Sequence, residues 1–261
     1  MNDYSIINSI NSKFRRFLLI ACEVLQRELF YCAAKSTSVI DIEFCSQGYH
    51  DLDSSEMCKR IQKKIDHYDN KGYDAILLGF ALCSNGILGL KAGKTPLVIP
   101  RAHDCITLLI GDKEQYMEYF SENPGTYYLS SGWIERDAKN LEDLRSISLT
   151  AKFGMDKSYA ELVNEYGEEN ARYIFETLNS SLSKNYSILA FINTNLGNID
   201  VYRQITEETA KKKSLQYKEI KGNLSLLQKL LDAQWDDKDF LILKNEQKIV
   251  RGNDNTIIDC A

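Results

Sequence analysis

Short apolar runs alternate with stretches of helical periodicity through the first half of the chain. Phe17–Ala21 (FLLIA), Val39–Phe44 (VIDIEF), Ala75–Leu82 (AILLGFAL) and Pro96–Ala102 (PLVIPRA) each have the length and composition of a buried strand. Ala75–Leu82 is near-continuously apolar, as a strand covered on both faces is. Between these runs, Val24–Lys35 reads as a helix. So does Ser54–Tyr68, where Met57, Ile61 and Ile65 recur on one face and Ser54 or Ser55 is placed to cap. Cys105–Phe120 predicts a helix interrupted at Gly111-Asp112, and Gly125–Ser131 a fifth strand ending at Gly132-Trp133. Strand–helix alternation over this length predicts an α/β domain spanning 1–136, with a doubly wound, Rossmann-like, mostly parallel sheet.

The pattern then changes. Residues 137–184 are polar, Glu-rich and helical in character, which predicts a helical insert or linker. Alternation returns in Tyr186–Asn193 (strand), Val201–Lys213 (helix), Leu215–Ile220 (strand), Asn223–Ala233 (helix) and Phe240–Leu243 (strand). Residues 185–261 read as a second, smaller α/β lobe, with extension of the first sheet as the other possibility.

Composition narrows the classes. With 44% hydrophobic and 26% charged residues in 261, the chain has ordinary globular composition. A formal net charge of -5 gives no general basic field for nucleic acid, and Lys211–Lys213 reads as the basic end of an exposed helix. No apolar run approaches the ~20 residues that span a bilayer. The first residues carry Asp3 and several Asn, a poor signal peptide, so a cytoplasmic protein is expected. The seven cysteines are odd in number and widely spaced, which favours metal binding, catalysis or plain burial over a disulfide framework.

Where those cysteines fall gives the chemistry its location. The first strand ends at Cys22-Glu23 and the second at Cys45, with His50 in the polar turn beyond. The third ends at Cys83 and the fourth at His103-Asp104-Cys105. In a parallel α/β sheet the carboxyl ends of adjacent strands open into one crevice. Thiolates and imidazoles gathered there would be ligands for a zinc-type ion, or a nucleophile and its base.

Each position carries a plainer reading as well. Cys83 opens a glycine-bearing loop (Gly86, Gly89, Gly93) whose amides could approach a cofactor, but the spacing is neither a Walker A loop nor a GxGxxG fingerprint, and a tight crossover turn is the commoner use. Asp104 is placed to cap a helix as much as to serve as a base. Glu23 is unusual after a buried strand, as a ligand, a base or an orienting partner. Cys45 is a weaker candidate beside Phe44. Trp133 stands at the mouth of the fifth strand as a candidate pocket wall, and Arg101 as a partner for an anionic substrate or for Asp104. Cys32, Cys58 and His67 lie within helices and read as packing or surface; Cys260 is a tail residue.

The runs ACEVL (Ala21–Leu25), QGYHD (Gln47–Asp51), Tyr73–Gly111, GTYYLSSGWIE (Gly125–Glu135) and YGEENARYI (Tyr166–Ile174) resemble a bacterial and archaeal family catalogued as domain of unknown function 1638. The family pattern matches this chain at Cys22, His50, Cys83, His103 and Cys105, and departs from it at Phe80 and Ala81, where relatives carry Gly and Tyr. The resemblance implies no established activity. It does imply a setting, since genes of this family occur near corrinoid methyltransferase genes of the trimethylamine type, a one-carbon context.

Three readings follow. In the first, zinc or a similar divalent metal is held by Cys22, Cys83, Cys105 and His103, with Glu23 or Asp104 as base and Gly86, Gly89 and Trp133 lining the space for a small-molecule substrate. In the second, Cys105 is a metal-free nucleophile with His103 or His50 as its base. In the third, the protein is a non-catalytic carrier serving a corrinoid methyltransferase system. A corrinoid-binding DxHxxG pattern is absent, and no nucleic acid or membrane partner is expected.

Overall fold

The computed structural model describes residues 14–83, 85–138, 163–164, 167–168, 172, 186–253 and 256–261. In chain order the strands are β1 (Arg16–Cys22), β2 (Val39–Cys45), β3 (Ala75–Gly79), β4 (Leu97–Pro100), β5 (Thr126–Ser130), β6 (Ile188–Asn193), β7 (Gln216–Lys221), β8 (Phe240–Leu243), β9 (Ile249–Arg251) and β10 (Ile258–Cys260). The helices are α1 (Gln26–Lys35), α2 (Ser54–Tyr68), α3 (Cys105–Ile110), α4 (Lys113–Glu122), α5 (Ser131–Ala138), α6 (Ile199–Lys212) and α7 (Ser225–Leu231).

Two compact units result, Met1–Lys113 with Asn223–Ala261, and Glu114–Gly222. This division departs from the boundaries expected at 136 and 185. The fifth strand opens the second unit instead of closing the first sheet, and the chain after Gly222 returns to the first unit. The expected insert, 137–184, lies almost wholly outside the described residues.

The first unit is mixed α/β with a mostly parallel central sheet in the order β2-β1-β3-β4-β8. β1 pairs in parallel with β2 from Arg16↔Val39 to Cys22↔Cys45, and with β3 from Phe17↔Ala75 to Ala21↔Gly79. The apolar runs supply its core: Leu19, Ile20, Ile76, Leu77, Val98 and Ile99 are fully buried. The order means that the chain leaves β1 on one side to form β2, then crosses to the other side to form β3. β8 runs antiparallel along the outer edge of β4, with Val98 against Ile242 and Pro100 against Phe240. Behind it, β9 and β10 form a short antiparallel pair.

Local chemistry sets the helix ends. Met57, Ile61 and Ile65 are buried on one face of α2, as the periodicity predicts. Its cap is Asp53 and not Ser54 or Ser55: the Asp53 carboxylate accepts from the backbone N–H of Ser55 and of Glu56, both at 3.0 Å. The expected break after Ile110 occurs at Gly111, which ends α3 in a left-handed conformation with φ 81°.

The second unit carries a parallel sheet in the order β5-β6-β7. Its core is Ile134, Phe191 and Tyr202, flanked by Leu129, Ile199 and Tyr217. Glu219 accepts hydrogen bonds from Arg203, Asn193 and Tyr217, and these, led by the one from Arg203, hold its carboxyl down to about 2. Lys211 and Lys212 close the last turn of α6.

Candidate functional site

The carboxyl end of β1 is Cys22, and its register partner on β2 is Cys45, so two thiols stand side by side at one end of the sheet. β3 stops at Gly79, but the chain continues beside its neighbour. Leu82 N–H donates to the Ala102 carbonyl and Cys83 N–H to the His103 carbonyl, each at 3.0 Å. This extension carries Cys83 to the level of His103, two residues before Cys105. There Cys83 takes a left-handed backbone with φ 44°, Asn85 another with φ 72°, and Gly86 N–H closes the turn onto the Cys83 carbonyl at 3.0 Å. Cys105 opens α3.

The Cys105 thiol interacts with Cys83, and the Cys22 thiol lies within electrostatic range of both. Cys22, Cys83 and Cys105 thus lie at or beyond the carboxyl ends of β1, β3 and β4, at the end of the sheet where the strand order reverses. All three are buried, with 1% of Cys22, 5% of Cys105 and 9% of Cys83 exposed.

The environment of Cys22 and Cys105 favours their protonated thiols. Hydrogen bonding with Cys83, then burial, then the neighbouring sulfurs and Asp104 raise the Cys105 thiol well above its ordinary value. Burial raises Cys22 strongly, with Cys83, Glu23 and Cys45 adding to it, while the backbone of Val24 hydrogen-bonds the sulfur and acts in the opposite sense. Burial pushes Cys45 up to about 12.

Several other sequence-derived candidates have structural tasks. The Asp104 carboxylate caps α3, accepting from Thr107 N–H at 3.0 Å and from the Thr107 hydroxyl at 3.1 Å. Glu23, half-buried in the 3-10 turn after β1, accepts from Gln47 N–H at 2.9 Å and so ties the ends of β1 and β2 together. His103 is half-buried and meets Cys83 through its carbonyl. His50 falls in the 3-10 turn Gln47–Asp51, and its side chain lies outside the described residues.

The loop amides expected to approach a cofactor are otherwise engaged. Gly86 N–H is spent on Cys83, and a Cβ at Gly86 would lie 2.3 Å from Met57 Sδ, so the residue is small because the loop packs on α2. Gly89 has φ 91° and donates to the Ile249 carbonyl at 2.9 Å. Trp133 belongs to α5 in the second unit. Arg101 is engaged with backbone carbonyls of the C-terminal segment: its guanidinium donates to those of Asp237, Phe240, Thr256 and Ile258, clamping the segment onto the first sheet.

Among the described residues, no group of three or more His, Cys, Asp or Glu side chains stands ready to hold a metal ion. The set Cys22, Cys83, His103 and Cys105 is thus not preassembled as a metal centre. Two neighbours of the cluster escaped notice or were underrated. Cys45 ends β2 as Cys22 ends β1, a signal that was present in the sequence. Arg251 donates to Asn85 Oδ1 at 2.8 Å, which places a guanidinium two residues from Cys83, and no spacing announced it.

The family profile described as "Protein of unknown function (DUF1638)" matches residues 44–231, a span holding Cys83, His103 and Cys105. No curated protein and no solved structure matches the chain.

Proposed function

The chain belongs to the DUF1638 family, and we propose that its function is carried by Cys22, Cys83 and Cys105 acting together on a soft, zinc-type cation. The single observation behind this reading is the placement of three buried cysteines at or beyond three strand ends, on the side of the sheet where the strand order reverses. The donor chemistry fits. A tetrahedral zinc site with ~2.3 Å bonds to sulfur sets its sulfurs roughly 3.8 Å apart, about the span of a thiol-to-thiol hydrogen bond. A cation also answers the electrostatics, since it replaces the protons that burial and neighbouring sulfurs favour on Cys22 and Cys105. Side-chain rotation has to bring the third sulfur into place.

With three thiolates bound, such an ion offers an open position that activates water or takes a substrate thiolate. His103 at the same strand end is the nearest sequence candidate for a fourth ligand. Glu23 and Asp104 hold the backbone at the ends of β1 and β4 and so position Cys22 and Cys105. The substrate class that suits the opening is a small thiol or methyl-bearing molecule, in keeping with the corrinoid-associated setting that the family resemblance implies. The chain serves there as an enzyme or as an accessory delivering the ion or the small molecule, in the cytoplasm and on a doubly wound scaffold. The metal-free nucleophile reading is the weaker one, because it needs a thiol poised low, and the surroundings of Cys22 and Cys105 act the other way.

The test is reconstitution. Protein purified anaerobically, stripped with chelator and returned to Zn²⁺ is expected to retain one zinc per chain by elemental analysis. Cys83→Ala and Cys105→Ser are expected to lose it, while Cys260→Ser, at an exposed position on β10, keeps it. Full occupancy in both site variants removes the proposal.

A further inference from the structure

We propose that Cys83 and Cys105 form a reversible disulfide under hydroperoxide, making the strand-end cluster a redox-gated site. The backbones that carry the two thiols are joined by the Cys83 N–H to His103 carbonyl bond at 3.0 Å, two residues from Cys105, and the Cys105 thiol interacts with Cys83. Forming a bond of about 2.05 Å between the sulfurs requires rotation about χ1 at both residues. Access is graded in the order the reaction needs. Cys83 is the most exposed of the three, Cys105 lies behind it, and Cys22 is almost sealed. Cys83 is also held in a left-handed backbone that a non-glycine residue adopts only where its surroundings enforce it.

The chemistry balances with a hydroperoxide as the named oxidant. The Cys83 sulfur attacks the peroxide oxygen and the O–O bond breaks. The products are a sulfenic acid on Cys83 and one molecule of water or alcohol. The Cys105 sulfur then attacks the sulfenic sulfur, hydroxide leaves with the Cys105 proton as a second water, and the S–S bond is formed. Two electrons pass from the thiol pair to the peroxide. A dithiol reductant reverses the step by exchange. Cys22 stays a thiol throughout.

Bond formation stands on the geometry of the pair alone; the gating rests on the cation reading, because the disulfide removes two of three donor sulfurs. The experiment has two arms. In the first, one equivalent of hydrogen peroxide is added to reduced, metal-free wild type, followed by thiol titration under denaturant and peptide mass mapping without reductant. The expected result is loss of two titratable thiols per chain, a cross-linked peptide pair containing Cys83 and Cys105, and full recovery with dithiothreitol. In Cys105→Ser a dimedone adduct on Cys83 is expected in place of the bridge. Thiols left intact at tenfold excess peroxide, or bridges joining other cysteines or two chains, overturn the inference. In the second arm, zinc uptake is measured before oxidation, after it and after re-reduction, and should be lost and regained. A bridge that forms in a protein taking no zinc in any state sinks the cation reading and leaves the disulfide standing. Undiminished zinc uptake by the bridged form overturns the gating.

Discussion

Cys83 is the residue on which most depends, and its backbone says why. A cysteine at φ 44° costs about 1 kcal/mol or more relative to glycine, a cost that Cys83→Ala retains and Cys83→Gly relieves. Cys83→Gly is therefore expected to be more stable than Cys83→Ala by about 1 kcal/mol, read from urea denaturation, although both lack the sulfur and both fail in zinc retention. Equal stabilities would mean that the left-handed turn is not a strain held for the thiol. The placement of Cys83 and Cys105 beyond the ends of β3 and β4 was legible because strands end at predictable places. The role of Arg101 was not, since its partners at Asp237, Phe240, Thr256 and Ile258 are brought to it only by tertiary structure. Gly86 likewise reads as a ligand loop until Met57 is found beneath it.

Among the elements, α3 joins the site to the rest of the first unit, and each of its ends has a checkable cause. Asp104 caps the start. Asp104→Ala is expected to cost about 1 kcal/mol of stability, and Asp104→Asn much less, because asparagine is as good a cap. Thermal denaturation of the pair settles it, and a large loss in Asp104→Asn would point to a role for the carboxylate charge beyond capping. At the other end, Gly111 combines φ 81° with the Asn223 carbonyl 2.3 Å from where a Cβ would sit. Asn223 N–H in turn donates to the Leu109 carbonyl at 2.8 Å, the contact by which the C-terminal segment rejoins the first unit. Gly111→Ala is expected to destabilise by about 2–3 kcal/mol, and near-neutrality in denaturant titration would show that the contact is dispensable. Apolar runs and 3.6-residue periodicity made the break at Gly111 and nearly every strand and helix readable. β9 and β10 are too short for any period to register, and the pairing of β8 with β4 is a long-range choice that local pattern does not carry. The division into units was hidden for the same reason: β5 looks like a fifth strand of the first sheet until its partner turns out to be β6.

For the molecule as a whole, burying several thiols without a counter-charge sets how stability follows pH. Cys22, Cys45 and Cys105 are all raised in the folded state, Cys45 to about 12, whereas an unfolded cysteine ionises near ~8.5. Below that pH both states hold the protons and these thiols leave stability unchanged. Above it the unfolded chain gives up protons that the folded chain keeps, so stability falls as pH rises, by up to ~1.4 kcal/mol per pH unit for each such thiol, until the folded value is reached. The reduced, metal-free protein is therefore expected to hold a steady free energy of unfolding from pH 7 to 8 and to lose it from there to pH 9.5, below the ordinary range of tyrosine and lysine. Cys45→Ala, outside the proposed cation set, should flatten the decline by one thiol's share. Zinc moves in the opposite direction. Its binding releases thiol protons, so retention should tighten as pH rises from 6 to 8, by up to tenfold per unit for each proton displaced. Anaerobic urea titrations with and without zinc across this range read both trends. A metal-free profile that stays flat above pH 8.5, or a Cys45→Ala profile as steep as wild type, would falsify the assignment of these sulfurs as buried neutral thiols. It would also remove the electrostatic reason for a cation among them.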